Sequence, residues 1–246
     1  VGIVANDMTI LGASSAPTNS KKIEYMRSLS CEKGIPLVFL GESSGARIQE
    51  IQGSKGTGLH VAHNRKQYRR LRESPWISVL MGHIYGSSSW YAALSDIVIM
   101  QKGAVMAVSS PKVTLLATGE NVTNEELGGW SVHADITGIA DAVGDTEQEC
   151  MDMAKEYLSY LPANANKIPP TADIPETAGD EMSDILKNLP EQNNRTYDMR
   201  TIISTIVDSN IKELKPRFGK PCITGFARLG GQPVGIVANN PGYFAG

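Results

Sequence analysis

An α/β fold built on a largely parallel sheet is what this sequence predicts, and three observations predict it. Two runs, Ile35–Gly41 and Trp76–Met81, are apolar almost without a polar break, as strands buried on both faces are. Segments with helical spacing alternate with them, the signature of a parallel sheet covered by helices. Each run also ends in a loop of small residues, at the strand end where open α/β sheets form their ligand crevice.

Taken in order, Val1–Asp7 reads as an apolar strand and its turn. Ser20–Lys33 reads as a helix with Ile23, Met26 and Leu29 on one face and Gly34 as its stop. The strand Ile35–Gly41 leads into the loop Glu42-Ser43-Ser44-Gly45-Ala46-Arg47, then a glycine-rich stretch, Gly53–Gly58, and a basic helix, Leu59–Glu73. The strand Trp76–Met81 leads into the loop Gly82–Ser89, a short helix Trp90–Leu94 and a strand Asp96–Met100. Thr123-Asn124-Glu125-Glu126 and Thr146-Glu147-Gln148-Glu149 are capping boxes, each a threonine oxygen set to accept from the third amide while the glutamate reaches back. The second opens a helix whose Cys150, Ala154, Tyr157, Leu158 and Leu161 share one stripe, and Pro162 ends it. From there to Tyr197, prolines 169, 170, 175 and 190 among Asn, Asp and Glu mark a linker. Met199–Asp208 is an amphipathic helix, and Pro221–Leu229 with Val234–Asn240 makes a hairpin turned at Gly230-Gly231.

One long-period repeat runs through this order. Val1-Gly2-Ile3-Val4-Ala5-Asn6-Asp7 returns as Val234-Gly235-Ile236-Val237-Ala238-Asn239-Asn240. The period is too long for a solenoid or propeller, so it predicts a duplicated domain. By that symmetry a strand is expected ahead of Val1 and a core beyond Gly246, so the reading is of a fragment: residues 1–161 one domain lacking its first strand, 162–198 a linker, 199–246 the start of a second.

Bulk composition narrows the function classes. A net charge of -3 and a pI near 5.9 supply no basic field for nucleic acid or an anionic membrane. No apolar run approaches a membrane span. Cys31, Cys150 and Cys222 lack metal-ligand spacing and fit buried thiols in a reducing compartment, which leaves the sequons at Asn121 and Asn194 without meaning.

The two small-residue loops carry the chemistry. Small side chains let a substrate approach the main chain, and backbone N–H groups converging from two loops can hold a thioester enolate. Either loop alone also reads as a tight strand-to-helix turn. The pair, in this order, favours a site.

Here the chain resembles a known family. Glu42–Glu50 (ESSGARIQE), Gly82-His83-Ile84-Tyr85-Gly86-Ser87 with Ala92–Asp96, Thr118-Gly119-Glu120 with Glu125–Gly129 and His133, Leu158–Pro162, and Thr224–Leu229 with Pro233–Asn240 are similar to the carboxyltransferase (beta) subunits of biotin-dependent acyl-CoA carboxylases such as propionyl-CoA carboxylase. The resemblance implies a crotonase (ClpP-like) spiral of ββα units, one nearly complete domain plus the first hairpin of a second. It implies an enzyme that moves a carboxyl group from carboxybiotin to the α-carbon of an acyl-CoA, without a protein acid or base. The main-chain donors of Gly86 and Ser87 would form the oxyanion hole, with Ser44, Gly45, Ala46, Arg47, Gly82 and Tyr85 around the substrate. Biotin would arrive on a partner chain, a biotin carboxylase or biotin carboxyl carrier subunit, and bind the second domain of another subunit, in dimers within a hexamer. The location implied is the cytoplasm, or the mitochondrial matrix in a eukaryote. The rivals are a decarboxylase of the same family and a non-catalytic paralogue serving assembly.

Departures from the family pattern bear on specificity. Tyr85-Gly86-Ser87-Ser88 stands where Ala-Gly-Gly-Ala is usual, which narrows the pocket, and Ser109-Ser110-Pro111-Lys112 stands where Gly-Pro and an acid are common. The two catalytic glutamates of crotonase-type hydratases would fall near Trp90 and Lys112, neither an acid, which weighs against hydration. Other patterns have plain explanations. Arg65, Lys66, Arg69, Arg70 and Arg72 make a basic helix that could face the phosphates of coenzyme A but reads first as a solvated face or a subunit contact, His60 and His63 lack a third ligand, and Ser131, His133 and Asp135 are neighbours in sequence without triad geometry. No metal is expected.

Overall fold

The structure, a computed structural model, describes residues 1–51, 73–176, 185, 189–192 and 195–243. The Gly53–Gly58 stretch, His60, His63 and the basic helix up to Arg72 lie outside the described residues, as do parts of the expected linker. The chain divides into two units, Val1–Lys155 with Ala163–Lys167, and Glu156–Pro162 with Ile168–Gly246.

The first unit is a parallel sheet in the order β1-β2-β3-β4-β6. Its strands are β1 Gly2–Ala5, β2 Leu37–Ser43, β3 Trp76–Tyr85, β4 Ile97–Gln101 and β6 Ala142–Gly144, and a short β5, Val105–Ala107, pairs with the far end of β3. The expectation of a parallel α/β sheet holds. In β3, Ile77, Val79, Leu80 and Ile84 have no exposed surface, so each contributes about 1.5–3 kcal/mol of burial. Phe39, Leu80, Ile84, Met100, Met106 and Ala134 close the main core. β2 differs from the expected doubly buried strand. Leu37, Phe39, Gly41 and Ser43 are buried while the alternate residues are half-buried, so only one of its faces is dry.

Helix α1 runs Pro17–Lys33, three residues longer at its start than its apolar spacing suggests. Pro17 suits the first helical position, and the Asn19 side chain accepts the Ala16 N–H at 2.5 Å. Gly34 ends it in the left-handed region at φ 62. Its buried face is Ile23, Arg27, Ser30 and Cys31, not the expected Ile23, Met26 and Leu29. Arg27 belongs there because its guanidinium stacks between the rings of Trp76 and Tyr91, 4.7 Å from each.

Short α2, Ile48–Ile51, follows the β2 loop. Helix α3, Ser87–Ala93, begins three residues before the expected one because β3 runs on to Tyr85 and leaves only Gly86 as the turn. Helix α4, Pro111–Thr118, was not read from the sequence; it is opened by Ser110 and Pro111. Helix α5, Asn124–Gly128, has the expected capping box, with Thr123 Oγ1 accepting from Glu126 at 3.2 Å and Glu126 accepting the Thr123 amide at 2.9 Å. Helix α6 covers Glu147–Tyr160.

In the second unit, helix α7, Met199–Ile206, precedes the antiparallel sheet β7 Lys212–Leu214, β8 Cys222–Leu229 and β9 Gln232–Asn239. The β8–β9 hairpin turns on Gly230 (φ 58) and Gly231 (φ 75), the two positive angles that a two-residue turn requires. Asp208 accepts both of their N–H groups, at 2.8 and 2.6 Å. The repeated heptapeptide is strand in both places, β1 paired in parallel with β2 and β9 antiparallel with β8.

Candidate active site

The site forms where the chain leaves β2 and β3. The buried Ser43 hydroxyl accepts the Gly45 N–H at 3.1 Å and turns the chain into Gly45, whose φ of +98 an L side chain rarely adopts. The loop then bridges a second small-residue segment, Ala13-Ser14-Ser15-Ala16. The Ser15 N–H donates to the Gly45 carbonyl at 2.8 Å, and the Arg47 N–H donates to the Ser15 carbonyl at 2.9 Å. Successive peptide groups of extended chain face opposite ways, so the Ala46 N–H points away from Ser15, toward β3.

On that side stands Gly86, at φ 71 and ψ -139. A Cβ on Gly86 would lie 3.5 Å from Gly45 Cα and 3.9 Å from Ala46 N, so the two loops meet with little more than backbone between them. The Gly86 N–H donates to the Val108 carbonyl at 3.1 Å, just past β5. The next amide, that of Ser87, has no acceptor among the described residues, and neither has that of Ala46. Two unspent N–H groups from separate loops thus flank one narrow gap. Such an arrangement can hold a carbonyl oxygen that gains negative charge.

The structure distributes the expected site residues unevenly. Ser44, Gly45, Ala46 and Arg47 come together with Tyr85, Gly86 and Ser87. Gly86 was expected as a donor, but its N–H is taken by Val108. It shapes the loop, and the amides with no acceptor among the described residues are those of Ser87 and Ala46. Gly82 lies within β3, not in a loop, and the Glu42 carboxylate covers the place where its side chain would be. The sequence reading missed Ser15 and Val108, whose carbonyls hold the two loops. The small-residue run Ala13–Ala16 was the available signal for Ser15.

Charged groups gather beside the gap. Arg47 donates through Nε to Ser14 Oγ at 3.1 Å and pairs with Glu50 at 2.5 Å. A cavity of about 330 Å³ opens next to it, lined by Asn6, Asp7, Asn19, Lys22, Arg47 and Glu50 among others. Burial, then the carboxylates of Glu147 and Asp7, push the Glu42 carboxyl above its ordinary range, partly opposed by His83. Tyr85 is buried, its hydroxyl donates to Asn124 Oδ1 at 2.5 Å, and burial raises its phenol so that it stays protonated.

At the positions where the hydratase glutamates would fall stand Trp90, half exposed, and Lys112, exposed, and neither is an acid. His133 is no triad base. Its Nε2 meets the Met106 carbonyl at 2.7 Å and its Nδ1 meets Thr137 Oγ1 at 3.1 Å, while Ser131 donates to Glu125. Among the described residues no group of His, Cys, Asp and Glu could hold a metal, and no helix is long and apolar enough to cross a membrane.

Comparison with known proteins gives matches along the whole chain. The family model described as "Carboxyl transferase domain" matches residues 1–246. The biotin-dependent acetyl-/propionyl-coenzyme A carboxylase beta5 subunit of Mycobacterium tuberculosis is 35% identical, over 100% of this chain and 46% of that protein. The methylmalonyl-CoA decarboxylase subunit alpha of Veillonella parvula is 34% identical, over 98% of this chain and 48% of that protein. The chain therefore spans just under half the length of these relatives. Among solved structures, transcarboxylase 12S, described as a hexamer assembly with methylmalonyl-coenzyme A and methylmalonic acid bound, superposes with a TM-score of 0.85 at 31% identity, over 96% of this chain and 46% of that one.

Proposed function

The chain belongs to the carboxyl transferase domain family and has its crotonase-like α/β fold, and on that premise we propose that it is the acyl-CoA-binding part of a biotin-dependent carboxyltransferase subunit. One observation carries this reading: the amides of Ala46 and Ser87, neither with an acceptor among the described residues, belong to two loops whose backbones approach closely at the ends of two parallel strands. A thioester oxygen placed there would accept both hydrogen bonds as the α-proton leaves and the oxygen becomes anionic. The cavity beside Arg47 would take the nucleotide end of coenzyme A, with Arg47 and Lys22 as its cations. Carboxybiotin, carried by a partner chain such as a biotin carboxyl carrier subunit, would supply the carboxyl group as carbon dioxide and accept the α-proton.

In this reading residues 1–161 bind the acyl-CoA, 162–198 link, and 199–246 begin the domain that would bind biotin. The hexamer description of transcarboxylase 12S supports a homo-oligomer of dimers within a hexamer. The bacterial relatives support a cytoplasmic place.

The test is exchange of the α-proton of acyl-CoA with solvent and carboxyl transfer from free carboxybiotin, assayed on the assembled protein across acyl lengths. The reverse assay starts from methylmalonyl-CoA, because the Veillonella relative is named a decarboxylase and the same hole serves both directions. A folded oligomer that turns over no thioester would overturn this reading in favour of a non-catalytic paralogue.

A further inference from the structure

The geometry points to Tyr85 as the residue that limits the length of the acyl chain, an inference that rests on the acyl-CoA reading above. A thioester carbon whose oxygen sits between Ala46 and Ser87 has two remaining substituents, and they leave in different directions. The sulfur and the rest of coenzyme A need room and cations, and both lie on the Arg47 side of Ala46. The acyl chain is left with the Gly45 side.

That side is closed. A Cβ on Gly45 would lie 3.8 Å from Tyr85 Cβ. The Tyr85 ring is 7% exposed, and its hydroxyl is tied to Asn124 Oδ1 at 2.5 Å. The His83 ring lies edge-on, 6.0 Å between centroids. Swinging the ring aside would break the Asn124 bond and unpack a residue that is buried, which is costly. Tyr85 thus works as a stopper: a short acyl chain fits in front of the ring, and a longer one must displace it. One surplus methylene against such a wall discriminates by roughly 10- to 200-fold.

The experiment measures binding of the S-methyl, S-propyl and S-hexyl thioethers of coenzyme A, together with kcat/KM on the matching acyl-CoAs. It uses the assembled wild-type protein and the Tyr85→Ala, Tyr85→Leu and Tyr85→Phe variants. Wild type is expected to prefer S-propyl over S-hexyl by about tenfold or more, and Tyr85→Phe, which keeps the ring but loses the Asn124 bond, to keep that preference in reduced form. Tyr85→Ala opens a cavity, so the preference reverses, and S-hexyl raises the melting temperature of that variant but not of the wild type. If Tyr85→Ala does not fold, Tyr85→Leu carries the same expectation with a smaller change. A length profile identical in wild type, Tyr85→Ala and Tyr85→Leu would overturn the stopper while leaving the acyl-CoA reading intact. Failure of the wild type to bind any of the thioethers would overturn both.

Discussion

The Gly86 amide donates to the Val108 carbonyl at 3.1 Å, and this bond separates the work of two adjacent residues. Gly86 spends its hydrogen on β5's continuation and takes φ 71, ψ -139 to do so. Ser87, one peptide later, keeps an N–H with no acceptor among the described residues.

Gly86→Ala is therefore a conformational mutation. The observed backbone angles are open essentially to glycine alone, so the variant should lose about 1–3 kcal/mol of stability or shift the loop. A displacement of about 1 Å at such a site lowers turnover by about 10²-fold. Denaturant melts and kcat together check this; wild-type values in both would remove the constraint. Gly86→Pro is a poorer probe, since it breaks the Val108 bond and forbids the positive φ at once.

His133→Ala should loosen the same loop from behind. The Met106 carbonyl can only accept, so His133 donates from Nε2, and deletion removes this buried hydrogen bond at a cost of about 1 kcal/mol. Met106 sits opposite Ile84 in the β5–β3 ladder, two residues before Gly86. We expect a lower denaturant midpoint and a fall in kcat at unchanged KM, with His133→Gln restoring part of each. A loss of stability with kcat intact would confine His133 to holding the fold.

Arg27→Lys should destabilise the first unit by about 1–3 kcal/mol, because an ammonium cannot reproduce the flat stacking between Trp76 and Tyr91 and holds its water more tightly. A midpoint equal to wild type in urea would refute this.

Cys150 predicts behaviour in alkali. It has no exposed surface, and burial pushes its thiol from an ordinary 9.0 up to about 11, against the lowering effect of the Gly144 backbone. A group whose pKa is raised in the folded state contributes stability that is complete below the unfolded pKa and is lost as pH rises through the folded one. The loss attributable to Cys150 should therefore fall between about pH 9 and 11, and Cys150→Ala should flatten the stability curve there. Iodoacetamide at pH 8 should leave native Cys150 largely unmodified, and rapid labelling would show the thiol to be accessible.

How far the sequence could be read depended on where the determining partner lay. β3 and the α5 cap follow from neighbours in sequence, since apolar runs and capping boxes are local signals. Arg27 defeated the helical stripe because its stacking partners lie far along the chain, at 76 and 91. β5 is three residues long and exists only as a partner of β3, so periodicity gave no sign of it. That omission moved the end of β3 and misplaced Gly82 in a loop. It also assigned Gly86 a free donor, since Val108 becomes visible only when β5 is in place. The glycine and serine pattern did mark the Gly45 loop and the Gly86 turn, because close backbone approach is a demand that composition records, although Gly82–Tyr85 is strand and Ser87–Ser89 is helix.

Gly45 and Gly86 each adopt positive φ and face one another across the gap, which restricts how this region can change by descent. Neither can gain a side chain without backbone strain, because both hold a positive φ, so drift must pass around the pair. In a randomised library covering both loops, these two positions would come back as glycine. Variety would collect at Ser44, Ser87 and above all Tyr85, where a new side chain alters what the protein accepts without moving the amides that hold it.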